Sequence, residues 1–111
     1  PYRKRTNRTT FSLEGHTHWL REMRLDDPMR FTTRLLDWDA KRLHFYMEMF
    51  HAEQGYLAAT YEMLTMHINL EHRRSEPFPE DLQTVFRAAC DSQKHLPLPR
   101  HAGTTVGIRR K

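Results

Sequence analysis

The sequence is poor in the features that mark secreted and membrane proteins. It contains a single cysteine, Cys90, so no disulfide can form within the chain, and a reducing compartment is expected. No apolar run approaches the roughly 20 residues of a transmembrane helix, and no short apolar segment follows the basic start as in a secretory signal. Internal repeats and low-complexity blocks are also lacking. These absences predict a cytoplasmic protein without a membrane partner.

Positive charge is concentrated at the two ends of the chain. Seven of the 18 basic residues lie in residues 3–8 and 109–111, so the remainder, which holds all 14 acidic residues, is mildly acidic. Basic ends can contact nucleic-acid phosphates, but the basic, aromatic-rich strand face of a single-strand binder is missing. We therefore predict no nucleic-acid partner. A basic nucleic-acid-binding β module is a third possibility, and its binding would weaken steeply with salt.

Residues 31–69 predict three antiparallel strands joined by two tight turns. Apolar and polar residues alternate with a period of two in residues 29–36, 43–51 and 56–69, and polar turn residues separate these segments. In the second segment, Leu43, Phe45, Met47 and Met49 share one face, whereas His44, Tyr46, Glu48 and Phe50 share the other. A sheet of this size in 111 residues buries only a modest core unless a helix or a second copy covers it.

A longer strand and a helix are predicted on either side of these strands. In residues 9–23, the alternation places Phe11, Leu13, Thr17 and Trp19 on one face, and Ser12, Glu14, His16, His18 and Glu22 on the other. A helix from Trp19 onward is the rival reading, which Gly15 and the threonines disfavour. Helical spacing and a proline-acid start predict a helix over residues 79–94. Residues 1–95 then form one domain, and residues 96–111 form a tail.

Candidate chemistry is carried by the polar face of the long strand. Glu14 and His16 lie at i and i+2 and could serve as a base and an orienting partner for a water or a carbonyl, or form only a structural hydrogen-bond network. His16 and His18 could also chelate a metal together with a carboxylate. No helical i, i+4 histidine pair is present, and one cysteine cannot complete a structural zinc site. We therefore predict no metal, and we interpret Cys90 as a packing residue.

Five segments in order resemble a known family. They are Glu14-Gly-His16, residues 20–28, residues 34–44 (Arg-Leu-Leu-Asp-Trp-Asp-Ala-Lys-Arg-Leu-His), residues 51–60 (His-Ala-Glu-Gln-Gly-Tyr-Leu-Ala-Ala-Thr) and Met66-His-Ile-Asn69. Together they look like the hotdog-fold acyl-CoA thioesterases of the 4-hydroxybenzoyl-CoA thioesterase-like superfamily. The betainyl-CoA thioesterases of carnitine breakdown are most similar, and the resemblance covers about residues 2–99.

The resemblance implies an α+β fold of the hotdog type. In that family a central helix lies along the antiparallel sheet, and two protomers join their sheets edge to edge through the strand that corresponds to residues 9–23. The family's first strand and central helix precede the segments matched in this sequence. We therefore expect the chain to be the C-terminal part of such a domain, and a homodimer or higher oligomer to form through that strand. Alone, the 111 residues should hydrolyse little or no thioester.

The resemblance also implies hydrolysis of acyl-CoA thioesters of small or polar acyl groups, with betainyl-CoA as one candidate. No cofactor is expected, because CoA is part of the substrate. In many family members the catalytic carboxylate lies at the central helix. On the present chain we assign catalytic roles to Glu14 and His16. Substrate-binding roles are assigned to His18, to the aromatic residues Trp19, Tyr46 and Tyr61 for a trimethylammonium group, and to Arg5 and Arg8 near the CoA phosphates. A non-catalytic hotdog module that binds an acyl ligand or serves assembly is the alternative.

Overall fold

The structure is a computed structural model that describes residues 1–103. These residues form two α-helices and five β-strands. In chain order they are α1 (Tyr2–Thr6), β1 (Arg8–Trp19), β2 (Met29–Trp38), β3 (Arg42–His51), β4 (Leu57–Asn69), β5 (Arg74–Ser75) and α2 (Glu80–Gln93).

The strands form one antiparallel sheet with β1 and β2 at its edges. β2, β3 and β4 follow one another as a meander, and β1 pairs with the other side of β4, which gives the order β1-β4-β3-β2. The two residues of β5 pair with the end of β4. The three strands expected from the alternating pattern are thus confirmed, and so is the α+β fold class.

The strand register assigns the side chains to two faces, because directly paired residues project to the same side. One row across the sheet consists of His16, Glu62, Tyr46 and Arg34, and the adjacent row on the opposite side consists of Thr17, Tyr61, Met47 and Thr33. We call the side that carries Glu14, His16, His44 and Glu62 the polar face. The side that carries Trp19, Tyr61, Met47 and Met49 is called the apolar face.

Helix α2 packs along the edge strand β2 and agrees with the predicted helix to within one residue at each end. Its Phe86 ring lies between the rings of Trp38 and Phe78, with centroid distances of 6.2 and 4.8 Å. Cys90 faces β2, where its Sγ lies 3.8 Å from the carbonyl oxygen of Leu35. The interpretation of Cys90 as a packing residue therefore agrees with its position.

Two strand boundaries differ from the prediction. β1 ends at Trp19 instead of residue 23, because the backbone N–H groups of Leu20 and Arg21 both turn toward the carbonyl oxygen of Ala58. β2 continues through Trp38, beyond the turn predicted at residue 37, because a register shift between Leu35 and Asp37 keeps the strand paired with β3.

A bulge in β1 overturns the predicted face of Phe11. The register skips Leu13 between the pairs Ser12–Thr65 and Glu14–Leu64. A surplus residue in a strand reverses the side-chain alternation on one side of it. Phe11 therefore projects to the side of Glu14, whereas Ser12 projects to the apolar face, where its hydroxyl lies 3.4 Å from Met63 Sδ.

The short helix α1 was not predicted from the basic N-terminal segment. Its Tyr2 hydroxyl hydrogen-bonds Nε2 of the buried His67 at 2.7 Å. Nδ1 of His67 lies 2.8 Å from the carbonyl oxygen of Glu76 and must donate to it, so Nε2 accepts from Tyr2 when the ring is neutral. Of the predicted tail, residues 96–103 are described and contact the polar face, whereas residues 104–111, including the basic cluster at 109–111, lie outside the described residues.

Candidate active site

A half-open cleft of about 350 Å³ lies on the polar face, between β1, β4 and β3. It is lined by Glu14, Gly15, His16, His44, Glu62, Leu64 and Gly103. The two residues predicted to carry the chemistry, Glu14 and His16, are therefore brought to the same concave surface. This surface is the candidate active site.

Glu14 and His16 are placed by the local geometry of β1. The bulge at Leu13 ends just before Glu14, and regular pairing from Glu14 to Trp19 keeps both side chains on the polar face. Gly15 between them presents its opposite side to Tyr61, where an added Cβ would lie 2.9 Å from the Tyr61 hydroxyl oxygen. The absence of a side chain at Gly15 therefore lets the Tyr61 ring pack against β1.

A pair formed by His44 and Glu62 completes the cleft and was not predicted. His44 Nε2 lies 2.5 Å from Glu62 Oε2, and the other carboxylate oxygen, Oε1, accepts a hydrogen bond of 2.9 Å from the Gly103 amide. The pair joins β3 to β4 diagonally, because His44 pairs with Leu64 and Glu62 pairs with Tyr46. Alternation had placed His44 on the face of its strand that also carries Tyr46, so the antiparallel register of this hairpin was the signal that could have revealed the pair.

His18 lies beside the cleft in a row of three imidazole rings. Its ring centroid is 4.8 Å from that of His16 and 5.0 Å from that of His101. His101 belongs to the segment after α2, so the tail contacts the predicted substrate-binding face. Among residues 1–103, no group of three or more His, Cys, Asp or Glu side chains is arranged to hold a metal ion.

The three predicted aromatic contacts are not brought together. Tyr46 lies on the polar face but is only 3% exposed, and burial raises the pKa of its phenol, so its ring offers no open surface to a ligand. Trp19 and Tyr61 lie on the apolar face, where they line a groove of about 270 Å³ together with Phe31, Met47 and Met49. Strand alternation thus divides the three predicted rings between opposite sides of the sheet, and their role in substrate binding stays a prediction.

Arg8 is engaged in an ion pair within the chain. Its Nε lies 2.5 Å from Glu76 Oε2, and its Nη1 donates to the carbonyl oxygen of Thr6. The hydrogen bond to Glu76 raises the pKa of Arg8, and the same bond lowers the pKa of Glu76. The guanidinium of Arg5 lies 5.8 Å from the ring centroid of Tyr2. Arg8 pairs with Asn69, six residues before Glu14 and thus about 20 Å along the strand from the cleft.

The fold and the cleft together define a class. An antiparallel sheet with an N-terminal edge strand, a helix packed beside the opposite edge and acid-base side chains on one face corresponds to the hotdog thioesterase domain predicted from the sequence. The chain belongs to the thioesterase-like superfamily, whose family model matches residues 1–86.

Individual relatives agree with this family. The betainyl-CoA thioesterase of Pseudomonas aeruginosa is 28% identical over 106 residues, which cover 96% of this chain and 67% of the relative. The bifunctional L-carnitine dehydrogenase/betainyl-CoA thioesterase of Rhizobium meliloti is 29% identical over 100 residues, which cover 90% of this chain and 20% of that protein. The chain thus spans about two thirds of the first relative and a fifth of the second.

Two solved structures share the fold at recognisable identity. A Staphylococcus aureus protein determined in complex with CoA superimposes with a TM-score of 0.86 at 34% identity, covering 96% of this chain and 67% of that one. A putative thioesterase from Pseudomonas putida KT2440 superimposes with a TM-score of 0.78 at 27% identity, covering 91% and 64%. The predicted class, an acyl-CoA thioester hydrolase, is therefore confirmed. Neither helix in residues 1–103 has the length and apolarity that a membrane crossing requires.

Proposed function

We propose that the protein containing this chain hydrolyses an acyl-CoA thioester at the cleft lined by Glu14, His16, His44 and Glu62. The proposal is carried by one observation, the convergence of Glu14 and His16 with a second acid-base pair on a single concave surface. Hydrolysis adds water across the carbonyl carbon, breaks the carbon-sulfur bond, and releases a carboxylic acid and the CoA thiol. CoA enters as part of the substrate, and the proposed chemistry uses side chains only.

Glu14 and His16 orient the reacting groups in this proposal. A carboxylate accepts a hydrogen bond from a water molecule, and a protonated ring nitrogen of an imidazole donates one to a carbonyl oxygen. Because both side chains leave the same strand face at i and i+2, water and thioester carbonyl can be held side by side.

The acyl group is proposed to be small and cationic, as in betainyl-CoA. The carboxylate of Glu14 lines the cleft and attracts a trimethylammonium group by charge. The groove lined by Trp19 and Tyr61 lies on the apolar face. A trimethylammonium group bound in that groove would be held by cation-π contact instead of by carboxylate charge. Comparison of betainyl-CoA with its neutral isostere, tert-butylacetyl-CoA, tests the charge. We expect a higher kcat/KM for betainyl-CoA, and equal values would exclude electrostatic selection.

The function is tested by replacing Glu14 in the full-length protein. A positioned acid-base group contributes about 10²–10⁴-fold to the rate, so Glu14→Gln should reduce turnover of acyl-CoA by at least about tenfold without unfolding. Glu53→Gln, in the exposed turn between β3 and β4, is the matched control and should leave turnover unchanged. If Glu14→Gln and His16→Ala both retain activity within about twofold, these residues form only a structural pair.

The assembly is proposed to be a dimer in which β1 pairs with its counterpart around residues 15–19. β1 is a 12-residue edge strand whose Phe11 and Leu13 are each about half exposed. A long, partly apolar edge invites pairing with a second chain. Sedimentation should therefore give a dimer, and Leu13→Lys, which adds charge to this edge, should weaken it. A monomeric unmodified protein would contradict the proposal.

The alternative function, a non-catalytic module that binds an acyl ligand, has a separate signature. Such a module would bind acyl-CoA without turnover, which calorimetry and thiol-release assays distinguish. Arg5 and Arg8 remain the proposed contacts to the CoA phosphates, and Arg8 also forms the ion pair with Glu76. A cytoplasmic location stays a prediction from the single cysteine.

A further inference from the structure

Glu62 uses both of its carboxylate oxygens within the chain. Oε2 lies 2.5 Å from His44 Nε2, and Oε1 accepts the Gly103 amide at 2.9 Å. The side chain of Glu62 is 14% exposed, whereas that of His44 is 34% exposed. A carboxylate held on both oxygens and largely shielded from solvent is suited to orient a neighbour, and the more exposed imidazole is the group that a substrate can reach.

The contact with Glu62 selects the tautomer of His44. An ionised carboxylate only accepts hydrogen bonds, so Nε2 of His44 must carry the hydrogen that it donates. In the neutral ring Nδ1 is then an acceptor. Within residues 1–103, Nδ1 of His44 has no hydrogen-bond partner, and the side chain lines the cleft that also contains Glu14 and His16. The carboxylate-imidazole arrangement is the one that prepares a histidine for proton transfer.

The segment after α2 holds Glu62 from above the polar face. The guanidinium of Arg34 donates to the carbonyl oxygens of Pro97 at 2.8 Å and Leu96 at 3.1 Å, which fixes the start of the segment over β2. His101 contacts His18 on β1, at the opposite edge of the sheet, and the Gly103 amide donates to Glu62. Gly103 has φ +71°, and nothing lies within 4 Å of the position that a Cβ would take. A side chain at residue 103 would therefore disturb the backbone geometry without a steric clash.

We propose that His44 is a catalytic residue that transfers the proton in thioester hydrolysis, and that Glu62, fixed by the Gly103 amide, is its positioning residue. This inference rests on the proposed function. Nδ1 of His44 accepts a proton from the attacking water as its oxygen bonds to the carbonyl carbon. When the tetrahedral intermediate collapses and the carbon-sulfur bond breaks, the same proton passes from Nδ1 to the departing sulfur. Water and thioester are thereby converted to acid and thiol with His44 regenerated.

Steady-state kinetics of the full-length protein test the proposal. His44→Gln and Glu62→Gln should each lower kcat by at least about tenfold while KM stays within about threefold, because neither side chain is needed for ground-state binding. The double variant should be no slower than the slower single variant, since the two residues act as a unit. Glu48→Gln is the matched control: Glu48 lies on the same sheet face and accepts from the Thr32 hydroxyl, outside the cleft.

Two variants test the segment after α2. Gly103→Pro removes the amide hydrogen, so it should reduce kcat in the same direction as Glu62→Gln. Gly103→Ala disturbs the same left-handed backbone, with φ +71°, but keeps the amide hydrogen, so it should retain more activity. Equal losses in these two variants would overturn the role of the Gly103 amide.

Nitrogen NMR of the His44 ring gives a readout that does not depend on turnover. The unmodified protein should show His44 protonated at Nε2, and Glu62→Ala should give a mixture of tautomers. An Nε2 without a proton would overturn the positioning role. If Glu14→Gln abolishes turnover but the His44 and Glu62 variants keep kcat within about twofold, the thioesterase proposal stands and this inference fails. If the unmodified protein hydrolyses no acyl-CoA, the proposed function and the proton-transfer role of His44 both fail.

Discussion

Replacement of Gly15 by alanine probes the contact between β1 and β4 on the apolar face. A Cβ at this position would lie 2.9 Å from the hydroxyl oxygen of Tyr61 and 3.3 Å from its Cε1 atom, so the ring must move. Overpacking of this kind costs about 1–3 kcal/mol, whereas alanine in place of glycine within a strand gains roughly 0.5–1 kcal/mol. We therefore expect Gly15→Ala to lower the free energy of unfolding by about 1 kcal/mol.

Urea denaturation in two backgrounds separates this contact from other effects of the substitution. Tyr61→Phe removes the hydroxyl oxygen, which is the atom closest to the added methyl group. In that background we expect Gly15→Ala to be close to neutral, which corresponds to a coupling energy of about 1 kcal/mol. If the cost of Gly15→Ala agrees within about 0.3 kcal/mol in both backgrounds, the hydroxyl does not limit the packing and the reasoning is refuted.

Three further predictions concern acid stability, the thiol and CoA binding. The hydrogen bond from Arg8 lowers the pKa of Glu76 in the folded protein. The ionised Glu76 should therefore stabilise the fold at a pH above its ordinary pKa of 4.5, and this stabilisation should be lost as the pH falls through the lower folded-state pKa. Glu76→Gln should therefore flatten the acid side of a stability-pH profile measured by urea unfolding, and an unchanged profile would contradict this. Burial raises the pKa of Cys90, so alkylation at pH 8 should be several-fold slower in the native than in the denatured protein; equal rates would show that the thiol is open. Arg5→Glu should raise KM for acyl-CoA at low salt without changing the urea midpoint. Arg24→Glu is its control, because Arg24 is exposed in the loop between β1 and β2, at the opposite end of β1 from α1. An unchanged KM would exclude the role of Arg5.

The alternating pattern of the sequence was sufficient to predict the sheet. A period of two over residues 43–51 and 56–69 leaves little choice of structure, and both strands appear within a residue of their expected bounds. The N-terminal helix was missed because five residues, most of them basic, carry no hydrophobic period. Bulges were missed as well, because a surplus residue such as Leu13 leaves the composition of a strand unchanged and becomes apparent only through pairing.

The sequence predicted only the part of the candidate site that lies on a single strand, β1. Glu14 and His16 are neighbours in sequence, so alternation alone puts them on one face. His44 and Glu62 are 18 residues apart and meet through the register of a hairpin, and Gly103 reaches Glu62 from 41 residues away. Such long-range contacts depend on tertiary structure, which the pattern within a single strand does not contain.

The surplus residue at Leu13 also bears on how this sheet can vary during evolution. Loss of Leu13 would turn the pairing into a regular ladder while Ser12 and Glu14 kept their present partners on β4. Loss of His16 would instead bring Thr17 into the cleft and move His18 to the opposite side of the sheet. A one-residue deletion at the bulge of β1 would therefore leave the cleft side chains in place. A one-residue insertion or deletion after Glu14 would change which side chains face the cleft.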